Sequence, residues 1–361
     1  MSSVGLIPRN RLRQIPAEER LRHEYCFFLH DECVRALVEY EKAKAHFVNV
    51  RFPSELTGGR FKEIAASDPI QALRATGFPE EARRAILNQI TMAMVSDCLH
   101  HLYEALRCFE KRKFVVAFNL LRKPLKDSLL YLSWMLRDED GFYAEFTSGN
   151  PERLSQKRLG NVRKQILAGA IAKTEIRALM SADLLNELLY DRQSSASFEQ
   201  LFQHAVHLIT IERVELRTSP ENFNFIFKSP HEDDLYRLLY GRLPYVLLFL
   251  SHVIFRLFDN MRKMDRAARD GIFVRSALGY QLAADIDVVS VLRDLQPLAE
   301  HFTCKKCNAR LKITSHNAAK IILTQSYRCA ECKASNGLPF AWLFERSGPS
   351  GMERADGPGD G

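Results

Sequence analysis

Two Cys-x-x-Cys pairs, Cys304 with Cys307 and Cys329 with Cys332, stand twenty-one residues apart in the stretch "CKKCNARLKITSHNAAKIILTQSYRCAEC". Such a turn places two sulfurs on one side of a tight knuckle, and two knuckles at the base of neighbouring hairpins can close a tetrahedron. The residues between the pairs read as two strands and a turn. Arg310, Lys312 and Thr314 alternate with Leu311 and Ile313, "SHNAA" is turn-like, and "KIILTQSYR" makes a second run. A third run, "PFAWLF" at 339–344, is expected to complete a small sheet.

Four thiolates in this arrangement suit Zn2+, which takes tetrahedral sulfur ligands. The segment 300–346 resembles a zinc ribbon, a family of small metal-stabilised β modules. That resemblance implies a structural Zn2+ held by Cys304, Cys307, Cys329 and Cys332. Four sulfur ligands close the site to water and substrate, which argues for shape rather than catalysis. Iron in a rubredoxin-like site is the alternative metal. A disulfide pair suits an oxidising compartment, and a thioredoxin-type pair needs a βαβ context that the sequence lacks. His301 and His316 lie nearby, but four cysteines leave neither of them needed.

The other cysteines, Cys26, Cys33, Cys98 and Cys108, are scattered through apolar helical stretches and read as small buried hydrophobes. The N-terminal residues carry arginines without the continuous apolar core of a secretory signal, so a reducing cytoplasm is expected. The most apolar stretch, "LPYVLLFLSHVIF" at 243–255, falls short of the roughly 18–20 residues of a membrane span and is closed by Arg256. It reads as a buried helix.

Charge is distributed unevenly within a net +7. Over 1–299 there are 42 basic and 38 acidic residues, whereas in 301–346 eight basic residues face only Glu331 and Glu345. Four thiolates on one divalent ion carry −2, which leaves the metallated segment at about +4. Lys305, Lys306, Arg310, Lys312, Lys320 and Arg328 are therefore the candidate nucleic-acid-binding residues. Tyr327, Phe340 and Trp342 either stack on bases or fill a tiny core.

Ahead of this module, an N-terminal arm (1–16) leads into an α-helical domain (17–290). Helical periodicity covers 17–48, 79–112 and 113–138, where Pro124 is expected to introduce a kink. Further helices are expected at 150–171, 174–191, 196–211, 233–264 and 266–284. The glycines and prolines of 50–78 predict an irregular connection, and 217–234 reads as loop or short strand. No fixed repeat appears, so a bundle or array of helices is the simplest architecture. The last residues, 347–361, are too rich in Gly and Pro to bury anything and read as a disordered tail.

The stretch "AFNLLRKPLKDSLLYLSWML", 117–136, resembles the apolar, arginine-containing central helix of uncharacterised bacterial helical proteins, some related to the HEPN and abortive-infection group. That resemblance implies a helical bundle acting on RNA or in phage defence. The group's ribonuclease motif is an arginine followed four to six residues later by a histidine on one helix. Only Arg310 and His316 match that spacing, and they lie in the ribbon.

Two helical constellations have catalytic potential. Asp97 with His101 and His100 with Glu104 are spaced for one helix face, a geometry that ligates metal, moves protons or simply makes surface hydrogen bonds. Asn119, Arg122 and Lys126 share another face, beside an ordinary ion-pair spacing of Lys123 with Asp127. There is no phosphate-binding glycine loop, nucleophile elbow or His-Glu-x-x-His motif, and no catalytic residue is assigned.

The sequence thus predicts a cytoplasmic, mainly α protein: a multi-helix bundle or array followed by a small C-terminal β zinc ribbon. That ribbon is expected to contact nucleic acid or a protein partner. The alternative is a nuclease-like effector of phage defence with its active site in the helical domain.

Overall fold

In the computed structural model, which describes residues 3–206 and 233–338, the chain is mainly α, as expected. The first long helix, α1 (Arg20–Lys42), buries Tyr25, Phe28, Leu29, Cys33, Ala36 and Tyr40, the three- and four-residue spacing of one apolar face. Residues of the N-terminal segment pack onto the body too, with Val4, Ile7, Leu12 and Ile15 buried. The Glu24 carboxylate of α1 accepts hydrogen bonds from the Val4, Gly5 and Ile7 amides at 2.7, 2.9 and 3.2 Å.

Two helices, α2 (Glu55–Ala65) and α3 (Pro69–Ala75), replace the irregular connection expected at 50–78. Their caps explain the correction. Ser54 Oγ accepts from the Thr57 amide, and the Asp68 carboxylate accepts from Ile70 and Gln71. Pro69 takes a first-turn position, where a missing N–H leaves no bond unmade.

The longest helix, α4 (Pro79–Phe109), packs against α1 and α5 (Phe114–Arg122). From α5 the chain passes through a π-helical turn, Lys123–Ser128, into α6 (Leu129–Arg137). Pro124 is absorbed in that wider turn, where the Leu129 amide reaches back to the Pro124 carbonyl. The Lys126 carbonyl is taken by side chains instead: the Tyr190 hydroxyl at 2.8 Å and Gln156 Nε2 at 3.3 Å.

After α7 (Glu139–Phe146), the helix expected at 150–171 is divided into α8 (Gln156–Leu159) and α9 (Arg163–Ala172). Then come α10 (Ala182–Tyr190) and α11 (Phe198–Val206). Residues 207–211 of the helix predicted at 196–211, and 217–232 of the predicted loop or strand, lie outside the described residues.

Beyond them, α12 (Asp234–Tyr240) leads into α13 (Leu243–Met261), in which every residue from 243 to 255 is buried. Taken together, Asp234–Met261 is long and apolar enough to cross a membrane, yet 83 % of its most apolar window is buried inside the protein. Helix α13 is the central core helix, packed on α1 and α6. The next helix, α14 (Arg266–Ala284), matches its predicted bounds. A helix that periodicity does not predict, α15 (Val288–His301), follows, its N-terminus capped by Asp287 and its buried face set by Val291 and Leu295.

At the C-terminal end, α16 (Ala318–Thr324) takes the first half of "KIILTQSYR", which predicted a strand, and only Ser326–Arg328 of that run is extended. Ala318, Ala319, Ile321, Ile322 and Leu323 are all buried, including three consecutive positions that a strand would have turned to alternate faces. The run around Arg310 keeps its alternation of exposed and buried residues, but its ladder is a single bridge between Thr303 and Arg310. The sheet itself is small: β1 (Ser326–Arg328) pairs antiparallel with β2 (Ser335–Gly337), Tyr327 opposite Asn336. The third run at 339–344, with Phe340 and Trp342, and the tail at 347–361 lie outside the described residues.

The module is docked on the helical body through α16. Arg275 of α14, 7 % exposed, donates Nε to the Ile322 carbonyl and Nη2 to the Leu323 carbonyl, each at 3.2 Å. Its Nη1 meets Glu32 of α1 at 3.1 Å. These bonds satisfy carbonyls at the C-terminal end of α16 that would otherwise be orphaned inside the protein. A further link runs from Gln296 Nε2 of α15 to the Ile313 carbonyl at 3.2 Å.

Candidate metal centre

Each cysteine pair sits in the same local fold. In the first knuckle the Asn308 amide donates to the Cys304 carbonyl (2.9 Å), and the Cys304 amide donates to the Ala309 carbonyl (2.8 Å). In the second, the Lys333 amide donates to the Cys329 carbonyl (3.2 Å) and the Cys329 amide to the Ala334 carbonyl (2.9 Å). The residue after each second cysteine turns the chain with a positive φ, 56° at Asn308 and 61° at Lys333. Asparagine tolerates that backbone well. Lys333 is held there by Nζ donating to the Ala330 carbonyl and by Arg328 Nε donating to its own carbonyl.

The paired knuckles bring Cys304, Cys307, Cys329 and Cys332 together, with the four Sγ atoms all within 4.8 Å of one another. Sγ of Cys304 lies 3.5 Å from that of Cys332, and Sγ of Cys307 lies 3.6 Å from that of Cys329. A tetrahedron with 2.3 Å metal–sulfur bonds has edges of about 3.8 Å, so both pairs stand near the separation that one shared ion requires. The eight cysteines of the chain are all free thiols.

Backbone amides favour the ionised form that a metal needs. The Lys306 N–H, 3.4 Å from Cys304 Sγ, pulls that thiol down to about 6, and the Cys332 amide lowers Cys329 in the same way. Cys307 goes the other way: the Ala309 amide would lower it, but the neighbouring sulfurs of Cys332, Cys329 and Cys304 outweigh that amide and the thiol is pushed up to about 12. The helical cysteines are shifted by burial alone or nearly so. Burial pushes the thiols of Cys26, Cys33 and Cys98 up, as the hydrophobic reading of these residues requires.

Around the sulfurs, Lys305, Lys306, Arg310, Lys312 and Arg328 are exposed and Lys320 is half-buried. Lys305, Lys306, Arg310 and Lys312 have no ion-pair partner among the described residues. Tyr327 is 4 % exposed, so it fills the module's core and is not available for stacking. His301 and His316 are exposed and stand outside the cluster. Asn336, for which the spacing of the cysteines gives no sign, is buried beside the cluster, where it bonds the first knuckle at the Lys305 amide and the Cys304 sulfur and the end of the second at the Ala334 carbonyl. Its only sequence cue is a polar residue four positions after the last cysteine, which by itself signals nothing.

The helical candidates do not assemble into a site. His100, Glu104 and Arg122 are exposed. His101 Nδ1 donates to the Asp97 carbonyl at 2.9 Å, and the Asp97 carboxylate is paired with Lys123 at 2.7 Å. Lys126 pairs with Glu199, Asn119 donates to the Ala205 carbonyl, and Asp127 accepts from Gln156. These are ordinary structural bonds, and they give the HEPN resemblance no support.

Fold and site together define a class: a mainly helical protein with a C-terminal four-cysteine cluster arranged to hold a metal ion. Beyond that class, the chain matches no family model, no curated protein and no solved structure.

Proposed function

We propose that this is a metal-stabilised binding protein, in which a C-terminal zinc ribbon fixed to a helical body offers a cationic surface to nucleic acid. Zn2+ suits the all-sulfur donor set, and four protein ligands leave no position open for water, so its role is structural. A reducing cytoplasm suits four thiolates kept for a metal.

The observation that carries the nucleic-acid reading is the set of exposed side chains Lys305, Lys306, Arg310 and Lys312, without ion-pair partners among the described residues, on the segment that holds the sulfurs. Unpaired cations on a fixed loop bind phosphates and release counterions, which makes the affinity salt-dependent.

The test joins elemental analysis of the purified protein with binding to labelled RNA and DNA over a salt series. One zinc per chain and a steep salt dependence are expected, and reversing the four charges to Glu should abolish binding. Undiminished binding by the reversed protein, or none by the wild type at about 50 mM salt, would sink the nucleic-acid reading. A protein partner would then be the better account.

A further inference from the structure

One side chain joins the two halves of the thiol cluster. Asn336, on β2 and 5 % exposed, accepts the Lys305 amide at Oδ1, 2.9 Å away. Its Nδ2 donates to the Ala334 carbonyl at 3.1 Å and lies 3.5 Å from Cys304 Sγ. The orientation of the carboxamide is fixed by its partners. An amide N–H requires the oxygen on one side, and a carbonyl requires the nitrogen on the other. The nitrogen therefore faces the sulfur.

Building on the zinc reading above, on which this step rests, we infer that Asn336 is the positioning residue of the metal centre, clamping the first knuckle from the second through the Cys304 sulfur and the Lys305 backbone. Four thiolates on a divalent ion leave net negative charge on sulfur. A donor aimed at one of those sulfurs spreads that charge, and it holds the ligand in the orientation the ion needs. Cys304 already receives the Lys306 amide from its own knuckle. Among the described residues, Asn336 is the one side chain other than cysteine that hydrogen-bonds to a sulfur of the cluster. The same residue sets the backbone from which Lys305 and Lys306 project, so retention of the metal and presentation of those two cations depend on one carboxamide.

The experiment uses the full chain as wild type, Asn336→Asp, Asn336→Ala and, as a control on the exposed face of the same strand, Ser335→Ala. Asn336→Asp keeps the size and the acceptor for the Lys305 amide but replaces the sulfur-facing donor with a carboxylate oxygen. Zn2+ transfer to a competing chelator and Co2+ absorption spectra are read for each. The wild type and Ser335→Ala should bind one ion alike. Both Asn336 variants should lose about 10- to 100-fold in affinity. The thiolate-to-cobalt charge-transfer band should move to lower energy in Asn336→Asp, because a sulfur without its donor is easier to oxidise.

Retention within twofold and an unshifted band in Asn336→Asp would overturn the assignment while leaving the zinc reading intact. A wild type that takes up neither ion would overturn the zinc reading and this inference with it. Circular dichroism, dominated by the helical body, should be unchanged throughout. Loss of helix in the Asn336 variants would make the residue a support of the body and refute the assignment.

Discussion

Gly279 of α14 and Leu323 of α16 are so close that a Cβ on the glycine would stand 2.7 Å from Leu323 Cδ2, and 3.0 Å from Tyr25 Cε2 of α1. Three helices meet at that contact, which is where the C-terminal module rests on the body. Helix propensity alone would make Gly279→Ala stabilising by about 1 kcal/mol. Crowding a packed seam costs about 1–3 kcal/mol, so the net expectation is destabilisation, larger for Gly279→Val. Denaturant midpoints of the three proteins decide it, and a more stable alanine variant would mean that α16 slides freely over α14.

Arg275 gives the same seam its polar half. Its fork serves two carbonyls of α16 and the Glu32 carboxylate, and its guanidinium lies over the Phe28 ring at 4.8 Å. Arg275→Met strands the two carbonyls in the interior and leaves the Glu32 carboxylate with Arg35 alone, for an expected loss of about 3–5 kcal/mol. Arg275→Lys keeps the charge but lacks the planar fork, and should fall between methionine and wild type. Equilibrium unfolding ranks the three, and equal stability of lysine and arginine would show that charge alone suffices there.

A pH dependence follows from the buried pair His23 and Glu110. His23 of α1 is fully buried, with Nδ1 bonded to the Tyr240 hydroxyl and Nε2 3.5 Å from Glu110. Burial lowers its pKa, and Glu110 only partly opposes that. Burial also works against the charge of Glu110, but bonds from His23 and Arg11 outweigh it and its pKa is lowered. The unfolded chain therefore takes up a proton at His23, near its ordinary value of 6.5, that the folded protein refuses. Stability is greatest above that value and falls as the pH drops through it, by up to about 1.4 kcal/mol per unit for each such histidine. His252, lowered by burial as well, contributes in the same direction. Glu110 adds its loss only below its ordinary value of 4.5. Denaturant midpoints between pH 8 and 5 should decline toward acid in the wild type and more gently in His23→Gln. A flat profile for the wild type would mean that His23 is charged inside the fold.

How far the sequence reaches is clearest at the junction of body and module. Long helices such as α1, α4 and α14 are legible because their apolar faces repeat over many turns, and the thiol cluster is legible because metal chemistry demands that spacing. The nature of α16 is not. "KIILT" is short enough to be helix or strand, and the choice is made by Gly279 and Arg275, which lie more than forty residues away. The helices α2 and α3 are hidden by Gly58, Gly59 and Pro69, although Ser54 and Asp68 are cap signals in the right places. Asn336 cannot be found from the sequence at all, because its role comes from a pairing across the strand and from a sulfur thirty-two residues earlier.

Removing the metal should unfold the end of the chain and spare the rest. The four sulfurs bring 304–307 beside 329–332 around α16 and β1, where one shared ion would cross-link them. With the ion gone, the module keeps its bonds to Arg275 and Gln296 but loses the cross-link that closes its loop. The core of the body, where α13 packs on α1 and α6, contains none of these sulfurs. A strong chelator should therefore open 303–338 to proteases, lower the first melting transition and leave most of the helical signal in place. Cys304→Ser should reproduce that state without chelator, whereas Cys108→Ser, outside the cluster, should not. Complete loss of helix on chelation would mean that the body cannot stand without its module, and an unchanged digest would mean that the sulfurs hold no ion that matters to the fold.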